Sequence, residues 1–176
     1  MKKLCLILLG ILLIIPGMAQ DDAISKFFGE YEGREDFTTI YITSRMFGLI
    51  AQIPESDDEE DVMNIIRKLK GLKILTTNEY GEKNRLYKEA LKKLPREGFD
   101  ELMLIKEGDE EIKFLISEKN GKISEFLMLI GGEDNFFLMS MVGDLTLDDI
   151  SRLSKTMDID GFEHLDKINE NDDENK

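Results

Sequence analysis

The one histidine of this 176-residue chain, His164, lies beside Glu163 and two residues before Asp166. A histidine next to carboxylates suggests acyl transfer, but that chemistry needs a nucleophile held on a strained turn against the base. No such turn is visible around His164, which reads instead as an exposed residue on a fraying end. The stretch "MDIDGFE", Met157 to Glu163, looks like part of a calcium loop. Placing Gly161 at the sixth position puts Thr156 first and Lys167 twelfth, where a calcium loop needs an acidic residue and a bidentate glutamate. The acidic run in "ESDDEEDVMNIIRKLKG" is a third candidate. It reads more simply as the first turn of a helix, where carboxylates complement the positive end of the dipole. Gly131-Gly132 lacks the following lysine of a phosphate loop and leads into a strand rather than a helix.

The only cysteine, Cys5, precedes the expected mature chain, so thiol, disulfide and zinc chemistry have no ligand set. The chain's 37 acidic residues offer many carboxylate pairs, and that abundance gives no pair special standing. The absence of tryptophan weakens a sugar-stacking site. No catalytic, cofactor-binding or metal residue is therefore assigned. The residues suggest an exported, non-catalytic binding or interaction module. The alternative is a small secreted hydrolase that uses carboxylates only.

The start of the chain, "MKKLCLILLGILLIIPGMAQ", has a basic head, an apolar run from Leu4 to Ile15, a proline break and small residues before Gln20. That pattern predicts a signal peptide over residues 1–19. Its apolar run is short of the roughly 20 residues that span a bilayer, and no cysteine stands at the cut to take a lipid. The expectation is a secreted or periplasmic protein without a stable membrane anchor. Loss of Lys2 and Lys3 would take the formal charge from −14 to −16. So acidic a chain repels phosphate backbones, which argues against nucleic acid, and leaves protein partners or self-association.

The remaining residues must form one core. Ile24, Phe27, Phe28 and Tyr31 fall on one helical face. "FTTIYIT" reads as a strand, and Ser44 opens a short helix that Pro54 ends. A capping box of Ser56 and Glu59 begins the next helix, with Val62, Ile65, Ile66 and Leu69 inward and Gly71 as its left-handed stop. A strand "LKILTTNEY" and a helix from about Glu82 follow, the helix turning Leu86, Tyr87, Ala90, Leu91 and Leu94 inward. From Phe99 four strands follow one another across Gly108-Asp109, Asn120-Gly121 and the turn Gly131 to Asn135. Thr146 and Asp149 form the capping box of a last helix, and residues 166–176 form an acidic tail expected to be disordered. The class is α+β: a largely antiparallel sheet, β-α-β-α and then a four-stranded meander, covered by helices with a capping C-terminal helix. Residues 20–165 are expected to form a single domain.

The stretch "FLMLIGGEDNFFLMSMVGDL" carries three methionines between two apolar runs. If Lys119 faces Lys122, a plain ladder sets Phe114 opposite Leu127 and Ile112 opposite Leu129. One face then carries Ile112, Phe114, Ile116, Leu127 and Leu129, and the other carries Leu115, Phe126 and Met128. Both parities of "FFLMSMV" are apolar, as in a central strand covered on both sides. The face with Phe126, Met128, Phe137, Met139 and Met141 needs a cover. The amino-terminal helix is the expected one, and a partner or second subunit is the alternative.

The helix with "FF…Y" leading into "FTTIYITSRMFGLI", together with "KISEFLMLIGGEDNFFLMSMVGDLTLDDISRL", resembles the domain-of-unknown-function 4252 family of exported bacterial proteins. The likeness runs from about Ala23 to Met157 and centres on "E-x-x-x-L-x-G-G … G-D-L-x-L". That family brings no assigned activity and no catalytic positions. What the resemblance implies is secretion and a single domain.

Overall fold

The computed structural model describes residues 19–53, 60–77, 82–94, 98–133 and 135–156. In chain order these form α1 (Ala19–Tyr31), β1 (Phe37–Thr43), α2 (Ser44–Ile50), α3 (Glu60–Ile66), β2 (Leu69–Thr77), α4 (Lys83–Lys93), β3 (Asp100–Glu107), β4 (Glu110–Lys119), β5 (Lys122–Gly131), β6 (Phe136–Leu145) and α5 (Leu147–Thr156). The strands make one six-stranded antiparallel sheet in the order β1-β2-β6-β5-β4-β3. The α+β class read from the sequence is the observed one. The meander β3 to β6 forms half of the sheet and more, and the antiparallel β1–β2 pair, joined through α2 and α3, docks on its β6 side. β6 is therefore interior, which suits a strand apolar on both parities.

Helices cover both faces. On the first face, Ile24, Phe27, Phe28 and Tyr31 of α1 and Leu86, Tyr87 and Ala90 of α4 pack with Leu75, Leu127, Leu129, Phe136 and Leu138. On the second, Phe47 of α2, Ile65 of α3 and Ile150 and Leu153 of α5 pack with Phe114, Phe126, Met128, Met139 and Met141. One row of this second face runs through all six strands as Ile40, Ile74, Met139, Met128, Phe114 and Met103.

Asn120 and Gly121 both take positive φ, 56° and 73°, and Lys119 faces Lys122, as expected for a two-residue hairpin turn. Beyond the turn the ladder departs from the plain register. Ser117 pairs with Glu125 and Glu118 with Ile123, so Ser124 is an extra residue, and its hydroxyl donates to the Ser117 carbonyl at 2.9 Å. This bulge moves every later residue of β5 by one position. Phe114 therefore opposes Met128, and Ile112 opposes Ile130. Leu127 and Leu129, expected beside Phe114, lie on the other face under α1 and α4. The cover changes in the same way: α1 lies on the face opposite Phe126 and Met128, and does not cover them.

A second departure concerns Gly71. The helix expected to reach it ends at Ile66, and β2 begins at Leu69 with Gly71 inside the strand. Burial of Leu69 in the sheet core outweighs the helical periodicity that had included it. The Ser56–Glu59 capping box, the Met157–Glu163 loop, His164 and the acidic tail fall outside the described residues.

Candidate functional site

Two places on the described surface are candidates, and the first is a charged cleft between α3 and α5. It measures about 190 Å³ and is lined by Asp61, Asn64, Ile65, Lys68, Asp148, Asp149 and Arg152. The α5 capping box positions Asp149. The Asp149 amide donates to Thr146 Oγ1 at 3.1 Å, and the Thr146 amide donates to Asp149 Oδ2 at 2.9 Å. Lys68, in the turn before β2, donates from Nζ to both Asp149 oxygens at 2.7 and 2.8 Å. Burial pushes the Asp149 pKa up, but the hydrogen bonds from Lys68 and Thr146 outweigh it and hold the carboxyl below its ordinary value. Arg152 spans Asp148 at 2.9 Å and Asp61 at 2.5 Å.

This cleft is a closed ion-pair network. A general acid needs a raised carboxyl pKa, whereas every described carboxylate with a resolved shift moves the other way. Hydrogen bonds to Arg34 and Lys93 hold down Asp36 and Glu89, and the Tyr87 hydroxyl and Lys70 hold down Glu111 and Asp144. Among the described residues no group of three or more metal-ligating side chains converges.

The second candidate is the margin formed by β1 and α2. β1 is an outer strand whose partner on one side is β2 and on the other is nothing among the described strands. Its Ile40 and Tyr41 are exposed, as are Met46 and Leu49 of α2 and Ile53 just beyond it, the last at 57%. Thr39, in the middle of β1, holds a buried hydroxyl oxygen with no hydrogen-bond partner. Sequence reasoning placed the sticky surface elsewhere. Periodicity gave β1 and α2 apolar residues without showing that the sheet ends there.

The five residues proposed from the sequence as a partner face do share one face of the sheet. Phe126, Met128, Met139 and Met141 are buried, with Phe137 partly buried against them. They belong to the core of the second face.

The "E-x-x-x-L-x-G-G … G-D-L-x-L" stretch resolves into packing. Glu125 accepts a hydrogen bond from the buried Ser140 hydroxyl, and Leu129 is fully buried. Gly131 lies beneath the Tyr87 ring so closely that a Cβ would overlap Tyr87 Cγ and Cδ2. The Tyr87 hydroxyl donates to Glu111 Oε1 at 2.7 Å. A Cβ at Gly143 would stand 2.8 Å from the Lys68 carbonyl oxygen, and Asp144 pairs with Lys70 at 2.7 Å. The motif thus ties β5 and β6 to α4 and to the turn before β2.

A family model described as Domain of unknown function (DUF4252) matches residues 31–153, and the chain belongs to that family. No curated protein and no solved structure matched the chain.

Proposed function

We propose that this family member is an exported, non-catalytic interaction module that binds through the β1–α2 margin. The observation that carries the reading is the coincidence of an uncharged outer strand with exposed Ile40, Met46, Leu49 and Ile53. Soluble chains normally blunt such an edge, because unpaired backbone groups beside apolar side chains template further pairing. The saturated state of the cleft supports the same side of the choice. Its acids are paired with Lys68 and Arg152, and Asp149 is held below its ordinary pKa, the opposite of what a general acid needs. Export rests on the amino-terminal pattern of residues 1–19 and on the family resemblance.

Photo-crosslinking in producing cells tests the reading. A photoreactive residue at Leu49 is expected to give a covalent adduct of defined mass, and one at Lys119, on the exposed β4–β5 turn, to give none. Equal labelling at the two positions, or none at Leu49, overturns it. So does hydrolysis of an ester or glycoside that Asp61→Asn with Asp148→Asn abolishes.

A further inference from the structure

β3 and β4 show opposite chemistry on the two faces of the sheet. On the first face they carry Glu101, Lys106, Glu111 and Lys113, which pair with one another: Lys113 meets Glu101 at 2.8 Å and Lys106 meets Glu111 at 3.2 Å. A surface of that kind is left to water. On the second face the same strands carry Met103, Ile105, Ile112, Phe114 and Ile116. Phe114 is 0% exposed and Ile112 5%, so this half of the face is covered as fully as the centre.

The described helices are too small, and too far to one side, to supply that cover. At 7, 7 and 10 residues, α2, α3 and α5 shade about 360 Å² of a face that measures about 800 Å². α2 lies against β1 and β2, and α3 touches both α2 and α5. β3, β4 and β5 follow one another with no helix between them. α1 and α4, at 13 and 11 residues, leave a similar gap on the first face, and there the gap is charged.

Few parts of the sequence could fill the second gap. Segments 54–59, 78–81 and 95–97 read PESDDE, NEYG and PRE, with Tyr80 their one large apolar residue. Residues 1–18 lead into α1, which lies on the first face, and are expected to be removed. The segment after α5 is different: Met157 and Ile159 alternate with Asp158 and Asp160, and Phe162 and Leu165 stand three apart. It starts beside the face, because Leu153 of α5 belongs to the same buried cluster as Phe114. Nine residues reach up to about 30 Å, and β6 lies about 14 Å from β3.

We propose that the β3–β4 half of the second face is the docking surface for residues 157–165 of this same chain, with Phe162 and Leu165 set over Met103, Ile105 and Ile112. The segment supplies the large apolar side chains that the described helices lack at this end of the sheet. Its Asp158, Asp160 and Glu163 keep to the other side, in water, where they add to an already acidic surface. Left bare, this half of the face would form an apolar patch of a few hundred Å², uncommon on a soluble chain. The acidic residues beyond Leu165 have no part in the contact. The proposal is independent of the interaction reading, which uses the opposite end of the sheet.

Paired cysteines test the docking, because the chain has no cysteine after Cys5. In protein purified from producing cells, Phe162→Cys combined with Met103→Cys or with Ile105→Cys should close to an intramolecular link with a short bis-maleimide. Phe162→Cys combined with Leu104→Cys, a neighbour in β3 that points to the first face, should not. Phe162→Asp should lower the melting temperature by about 5 °C and raise the binding of an apolar-surface dye about threefold or more. A chain ending at Leu165 should melt with the parent. Linkage without preference for the second face overturns the proposal, as does no linkage at all. So does a Phe162→Asp chain that melts and binds dye like the parent. A lowered melting temperature without the preferred link overturns it too, because the segment then packs elsewhere.

Discussion

The centre of the sheet and its β1–α2 margin use similar residues to opposite ends. At the centre, β5 and β6 are apolar on both faces, and each polar group there is tied to another. Glu125 holds Ser140, Tyr87 holds Glu111, and the Gly131 surface is filled by the Tyr87 ring. At the margin the apolar residues Ile40, Met46 and Leu49 are exposed, and Thr39 has an unmet hydroxyl. The difference teaches that one palette of residues can serve two ends. The glycines and polar groups of β5 and β6 lock the interior, and the residues that face outward at the margin are ordinary in type and unusual only in place.

Substitutions that sharpen this contrast should damage folding at the centre and spare it at the margin. The largest effect is expected for Gly131→Ala. Its new Cβ overlaps the Tyr87 ring, and overpacking against a fixed ring costs about 3 kcal/mol. Denaturant unfolding measures the loss, and adding Tyr87→Ala should give less than the sum of the two single costs. Independent, additive costs would show that ring and glycine do not touch.

Asp149→Ala comes next, at roughly 2 kcal/mol, because it removes the α5 capping box together with the partner of Lys68. The pH dependence carries a sign. The folded Asp149 pKa lies below its unfolded value, so its stabilisation is complete above the ordinary carboxylate pKa and is lost as pH falls through the lower, folded one. Acid unfolding of Asp149→Asn should therefore show a shallower slope below about pH 4 than the parent chain. An identical slope would place the acid-labile group elsewhere.

Tyr87→Phe should cost about 1.5 kcal/mol by removing the hydroxyl from Glu111, and the Glu111 pKa should rise as its hydrogen bond is lost. Titration by carboxyl-carbon NMR reads this shift directly. The smallest effect on stability is expected at the margin, where Ile40→Lys should stay within about 0.5 kcal/mol of the parent. A large loss there would erase the distinction between the two regions.

Much of the fold was legible because the signals were local. The Asn120-Gly121 turn, the Thr146–Asp149 capping box and the helical faces of α1 and α4 depend on neighbours a few residues away, and they appear as read. The partition of β5 between the two faces was not legible. One extra residue at Ser124 exchanges the faces of Phe126 to Ile130, and a serine in a strand does not announce a bulge. Nor could composition decide that Leu69 joins a strand, since that depends on Gly143, far along the chain. The β1 edge was hidden for the same reason. An edge is defined by what does not pair with it, and strand order is a property of the whole sheet.

That order also bears on how the chain reaches its structure in time. β3 to β6 can assemble by successive hairpins, each closing a loop of a few residues. β2 has β1 on one side, but its other partner, β6, lies roughly 60–75 residues further along. A chain made from its amino terminus at about 5–20 residues per second exposes the apolar side chains of β2 for several seconds before β6 exists. The slow step of folding should thus be docking of a preformed β1–β2 pair onto β6, and a chain cut off within β6 should leave β2 and β5 as outer strands in addition to β1 and β3.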